Sequence, residues 1–119
     1  MQQEDDKIIA SLFQFSEQIR YVAIYRNQHL TAKQKQQHPD SSSGESDKYE
    51  ELFVNPALLT LARQRGNVDC GGLNFMIIAY GNFFQLIKEI DNGHISICLD
   101  KISDLTHLPQ RIFNFIGTI

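Results

Sequence analysis

Asn92-Gly93 stands between two runs rich in β-branched and aromatic residues, Phe83 to Lys88 (FFQLIK) and His94 to Asp100 (HISICLD). An Asn-Gly pair so flanked is the strongest short hairpin signal a chain can carry, because both residues accept the positive φ of a tight turn. The second run alternates strictly, with Ile95, Ile97 and Leu99 on one side and His94, Ser96 and Cys98 on the other. That is a sheet strand with two different faces. A further strand is predicted upstream, Leu73 to Tyr80 (LNFMIIAY), reached from Cys70-Gly71-Gly72 and joined to the next by Gly81-Asn82. It is apolar on both faces. Helices above and below, or a partner chain, must cover it.

The first half of the chain adds two strands and two helices. Ile8, Ile9, Leu12, Phe13 and Phe15 form a helical stripe within residues 5–17, behind an acidic first turn that suits the helix dipole. Ile19 to Tyr25 (IRYVAIY) reads as a strand, Arg26-Asn27-Gln28-His29 as a tight turn, and Leu30 to Gln37 as the return strand. The lysines of that return strand suit a solvated sheet edge. His38 to Ser46 (HPDSSSGES) is low in complexity and reads as a mobile polar loop.

Asp47 and Glu50 have the spacing of a capping box, and Asn55-Pro56 repeats a helix start. Residues 48–65 therefore read as one helix kinked at Pro56 or as two abutting helices, stopped by Gly66. Leu108, Ile112, Phe113, Phe115 and Ile116 mark a closing amphipathic helix within Thr106 to Ile116. The order is helix, two strands, helix, three strands, helix. The expectation is an α+β domain with a five-stranded antiparallel sheet, residues 1–119 forming a single unit.

The chain has 119 residues and a net charge of −3, which fits one domain and argues against binding driven by nucleic-acid phosphates. Its apolar runs fall far short of the roughly 20 residues a membrane span needs. The segment Met1 to Asp6 is acidic, the reverse of a secretory signal, and two cysteines make no disulfide framework. A cytoplasmic protein is expected.

Catalytic chemistry finds little support. His94 and Cys98 share a strand face but stand four residues apart, roughly 13 Å along a regular strand, too far for the histidine to activate the thiol. Cys98 reads as a small hydrophobe and Cys70 as an inert thiol. His29, His38, His94 and His107 lack metal-ligand spacing, and no cofactor is implied. Gly71-Gly72 is followed by a strand and no Lys-Ser/Thr, so it serves a sharp turn and not a phosphate. No Gly-x-Ser-x-Gly elbow and no acid/base carboxylate pair stands out. The chain reads as a non-enzyme.

The element order, the length and the stretch from Tyr80-Gly81-Asn82-Phe83-Phe84-Gln85-Leu86 to Gly93-His94-Ile95-Ser96-Ile97 resemble a roadblock-type dynein light-chain domain, over about residues 5–117. The resemblance implies a profilin-like sheet with the middle helix on one face and the two terminal helices on the other. It also implies a homodimer, or a pair with a paralogous roadblock chain, in which middle helices pack together and third strands join into a ten-stranded sheet. Members bind Ras-like small GTPases or serve as adaptor light chains. Two features depart from the pattern: Arg26-Asn27-Gln28-His29 replaces an Asp-Gly-type turn, and the serine-rich loop is longer and more polar.

The candidate dimer or partner surface comprises Leu58, Leu61, Arg63 and Arg65 of the middle helix with Leu73, Phe75 and Ile77 of the third strand. Half of such a set must be ordinary core. The two arginines suit an acidic GTPase surface, and they equally complement a helix C-terminus. The leading expectation is a dimeric module that binds or regulates a Ras-like GTPase. One alternative is a scaffold that holds a peptide by strand addition without regard to nucleotide. The other is a small-molecule sensor of profilin-like or PAS-like type, with Phe75, Phe83 and Phe84 lining an interior pocket.

Overall fold

The computed structural model describes residues 2–35 and 44–119. The elements are α1 (Gln2–Phe15), β1 (Ile19–Arg26), β2 (His29–Gln34), α2 (Gly44–Tyr49), a π-helical turn (Glu50–Val54), α3 (Asn55–Asp69), β3 (Met76–Ala79), β4 (Phe83–Ile90), β5 (Gly93–Asp100) and α4 (Leu108–Ile116). All strand pairs are antiparallel, and the spatial order is β2-β1-β5-β4-β3. The α+β architecture and five-stranded antiparallel sheet expected from the sequence are both present. Residues 38–43 of the expected polar loop lie outside the described residues, while Gly44 to Ser46 belong to α2.

The sheet separates two unlike layers. Val22, Ile24, Leu86, Ile95, Ile97 and Leu99 face α1 and α4, and there they bury Ile9, Leu12, Leu108, Ile112 and Phe113. Interlocked aliphatic chains of this kind supply most of the favourable folding free energy. The opposite face carries Tyr21, Ala23, Gln85, His94, Ser96 and Cys98 beneath the middle helix, and all six are buried. The alternation read along His94 to Asp100 is thus an alternation between an apolar core and a polar layer.

Local chemistry explains the joints. Asn27 and Gln28 take φ of 53° and 66°, the pair of left-handed residues a two-residue hairpin turn needs. At the second hairpin Asn92 alone turns left-handed (φ 66°), and Gly93 already belongs to β5. The glycine serves a different need: a Cβ there would sit 1.7 Å from the Tyr25 carbonyl oxygen and 2.7 Å from Arg26 Cα. Gly93→Ala is therefore expected to push β1 off β5 and cost about 3 kcal/mol, the upper range for overpacking, read as a lowered urea midpoint.

The middle helix corrects several sequence expectations. Asp47 lies inside α2 and Glu50 opens the π-helical turn, so they form no capping box. Asn55 has helical angles (φ −63°, ψ −44°) and closes the π-helical turn, so it is not the N-cap of α3. Pro56 does cause an irregularity, but as a widened turn: the Asn55 N–H bonds back five residues to the Glu50 carbonyl. Proline lacks an N–H and its ring crowds the carbonyl four residues back, and a π turn relieves both. Gly66 does not stop the helix, which runs to Asp69. Gly71 and Gly72, at φ of 80° and 90°, make the stop. Gly66 instead lets the returning chain pass, since a Cβ there would lie 3.0 Å from Gly72.

Candidate interaction surface

From Glu50 to Asp69 the middle helix is turned inside out. Its sheet-facing positions are Glu51, Asn55, Leu59 and Gly66, all buried. The outward stripe is Phe53, Ala57, Leu61 and Val68, continuing Tyr49 of α2 at helical spacing. Tyr49, Phe53, Leu61 and Val68 are 61–76% exposed, which for large apolar side chains on one stripe is unlike an ordinary solvated face.

The inward polarity matches the sheet beneath it. Glu51 is 1% exposed and accepts from three partners: Tyr21 Oη at 3.2 Å, Asn55 Nδ2 at 3.0 Å and His94 Nε2 at 2.8 Å. Gln85 Nε2 donates to Ser96 Oγ at 2.8 Å alongside. Burial, and next the neighbouring Glu51 carboxylate, hold the Tyr21 phenol far above its ordinary pKa, so it stays a hydrogen-bond donor. Glu51 and its three donors anchor the helix in one orientation, while Asn55 Oδ1 and Gln85 Oε1 of the same layer have no partner among the described residues.

The stripe lies beside an unpaired strand edge. Glu50 accepts from Tyr80 Oη at 2.5 Å just after β3, and Gly66 packs on Gly72 shortly before it. The two ends of the middle helix thus meet the segments on either side of β3. β3 pairs only with β4, so among the described residues its other edge has no strand against it.

The residues singled out from sequence divide. Leu61 is exposed on the outward stripe; Ile77 is exposed as well, but it pairs with Leu86 and so lies on the α1/α4 face of the sheet, while Leu58 and Leu73 are half-buried. Phe75 precedes β3 and lies partly buried against the apolar core, its ring 4.9 Å from that of Phe113 and tilted to it. Arg63 is ion-paired with Glu89, and Arg65 with Asp69 at 2.8 Å, so both charges are matched within the chain. Tyr49, Phe53 and Val68 complete with Leu61 a stripe whose helical spacing is visible in the sequence, whereas Leu58, Leu59 and Ala62 mark another, more buried flank.

Among the described residues no group of three or more His, Cys, Asp or Glu side chains is placed to hold a metal ion, and no helix is long and apolar enough to cross a membrane. Burial pushes the Cys98 thiol well above its usual pKa, with Glu51, Glu50 and Asp47 adding to the rise, so it remains an un-ionised thiol. Cys70 is exposed. In native protein one thiol per chain is expected to react promptly with a disulfide reagent and the second only after denaturation; two fast thiols would mean that the middle helix opens readily.

No family model matches the chain, and no curated protein matches it. Function has to be read from the geometry itself.

Proposed function

We propose that this chain is a non-catalytic interaction module that dimerises through the outward stripe of the middle helix and the free edge of β3, and that the dimer binds a Ras-like small GTPase. One observation carries the dimer: the helix places Phe53, Leu61 and Val68 in solvent while spending its inner face on Glu51 and Asn55. Apolar side chains on an exposed helix beside an open sheet edge invite association or aggregation, and a symmetric pairing closes both at once. The resemblance of the Tyr80–Leu86 and Gly93–Ile97 segments to roadblock-type domains supports the choice of partner and a family setting for the dimer. Light scattering across a concentration series tests the first half, with twice the chain mass expected. Capture of small GTPases on the immobilised protein, with a non-hydrolysable GTP analogue or GDP, tests the second.

A second reading keeps the fold and replaces the GTPase by a peptide added at β3. The unpaired edge supports it, and a partner retained equally in both nucleotide states would favour it. A sensor role has less support. Phe75 and Phe84 pack into the apolar core, and the cavity lined by Tyr21, Phe83, Cys98 and Glu50 measures about 20 Å³, the scale of one water.

A further inference from the structure

A cleft of about 420 Å³ opens between the start of the middle helix and the β3–β4 turn, lined by Tyr49, Glu50, Val54, Tyr80 and Phe83 among others. Its walls are aromatic: the Tyr80 and Phe83 rings lie 5.4 Å apart and tilted, and Tyr49 leans on Phe53 at 5.5 Å. Its floor holds the Glu50 carboxylate, fixed by the Tyr80 hydroxyl. Among the described residues no lysine, arginine or histidine side chain pairs with Glu50. Burial, reinforced by the nearby Glu51 and Asp47, raises the Glu50 pKa despite that hydroxyl, which marks a carboxylate partly stripped of water.

We infer that this cleft docks an arginine or lysine side chain presented by a partner protein, with Glu50 meeting the charge and Tyr49, Tyr80 and Phe83 flanking the apolar stem. Ring faces attract cations through their quadrupole, and a half-buried carboxylate beside them adds a charge-assisted hydrogen bond. The chain supplies an internal precedent: the Arg20 guanidinium lies 5.5 Å from the Phe83 ring centroid, and its own charge is met by Asp100 at 3.6 Å. Arg63 and Arg65 of the middle helix already have Glu89 and Asp69, so those arginines of a second copy are not the assigned source. The cleft is complete within one chain, and it shares Tyr49 with the outward stripe.

The test is an NMR titration of the full isotope-labelled chain with acetyl-Gly-Arg-Gly-amide and with its citrulline counterpart, which keeps the shape and lacks the charge. Saturable shifts are expected at residues 49–54 and 80–83, with half-saturation on the order of millimolar and citrulline binding roughly tenfold weaker. Glu50→Gln should weaken the arginine peptide by a similar factor. Because the folded-state pKa of Glu50 is raised, its ionisation counts against folding once pH exceeds the ordinary carboxylate range; the glutamine variant should therefore melt no lower than the parent at pH 7. Tyr80→Ala, outside the apolar core, is the second variant and should weaken binding roughly threefold. Equal affinity for citrulline, shifts centred elsewhere, no saturation, or undiminished binding by Glu50→Gln would each overturn the assignment.

Discussion

Glu51→Ala is expected to destabilise the protein by about 3–5 kcal/mol, the cost of breaking a buried charged network by removing one member. Three donors lose their acceptor together: Tyr21 Oη, Asn55 Nδ2 and His94 Nε2. None can turn to water, since Tyr21 is 8% exposed, His94 2% and Asn55 0%. Asn55 Oδ1 and Gln85 Oε1 are buried acceptors without a partner among the described residues, and any of the three donors that reaches one of them lowers the cost. For a chain of this size such a loss corresponds to a drop of roughly 10–20 °C in Tm. The damage should be local at first. The α1/α4 core lies on the opposite face of the sheet and touches none of these groups, so hydrogen exchange should quicken in α3 before it does in β5. Glu51→Gln, which keeps size and one acceptor, should cost less than alanine. A loss under about 1 kcal/mol for Glu51→Ala would mean that the polar layer is not what anchors the middle helix.

Phe53→Glu and Leu61→Glu are each expected to abolish self-association at micromolar concentrations while leaving the fold intact. Both side chains are exposed within one chain, at 63% and 66%, so substitutions there should move stability by no more than about 0.5 kcal/mol. Across a two-fold seam each change occurs twice. Two anchors at about 2 kcal/mol each give roughly a thousandfold weaker dimer. Sedimentation velocity at tens of micromolar reads the outcome directly. Ile102→Glu is the control: Ile102 is 85% exposed, but it lies between β5 and α4, away from the stripe. If the parent chain sediments as a monomer, or if Ile102→Glu disrupts association as strongly as Phe53→Glu, the proposed seam is wrong.

The two experiments probe opposite sides of one helix. Glu51 holds it to the sheet from within, and Phe53, two residues on, faces outward from the same π-helical turn. That turn sits at the proline, so Pro56 sets the phase with which both faces are presented. Loosening the inner face should also blur the outer one. A partial loss of dimer is accordingly expected in Glu51→Ala at temperatures below its own unfolding.

Much of the architecture followed from local pattern alone. The alternation of His94 to Asp100, the turn signals at Asn27 and Asn92, and the stripes Ile9/Leu12 and Ile112/Phe113 each report a backbone period or a left-handed φ. These are properties of a few consecutive residues, and they placed the sheet, the first hairpin and the two terminal helices. The roles of Gly66 and Gly93 were not local. Each is glycine because other backbone passes within a Cβ's reach, the returning chain at Gly72 and a separate strand at Tyr25, and the immediate neighbours do not reveal that.

The orientation of the middle helix was decided only by tertiary structure. Its sequence carries apolar residues on more than one flank, so period 3.6 identifies a helix without choosing its inner face. The choice comes from the sheet: Tyr21 and His94 present buried polar atoms that must be hydrogen-bonded, and Glu51 on the inner flank answers both, while Gln85 and Ser96 pair with each other. Satisfying those groups turns Phe53, Leu61 and Val68 outward, because an unpaired buried polar atom costs more than an exposed apolar side chain.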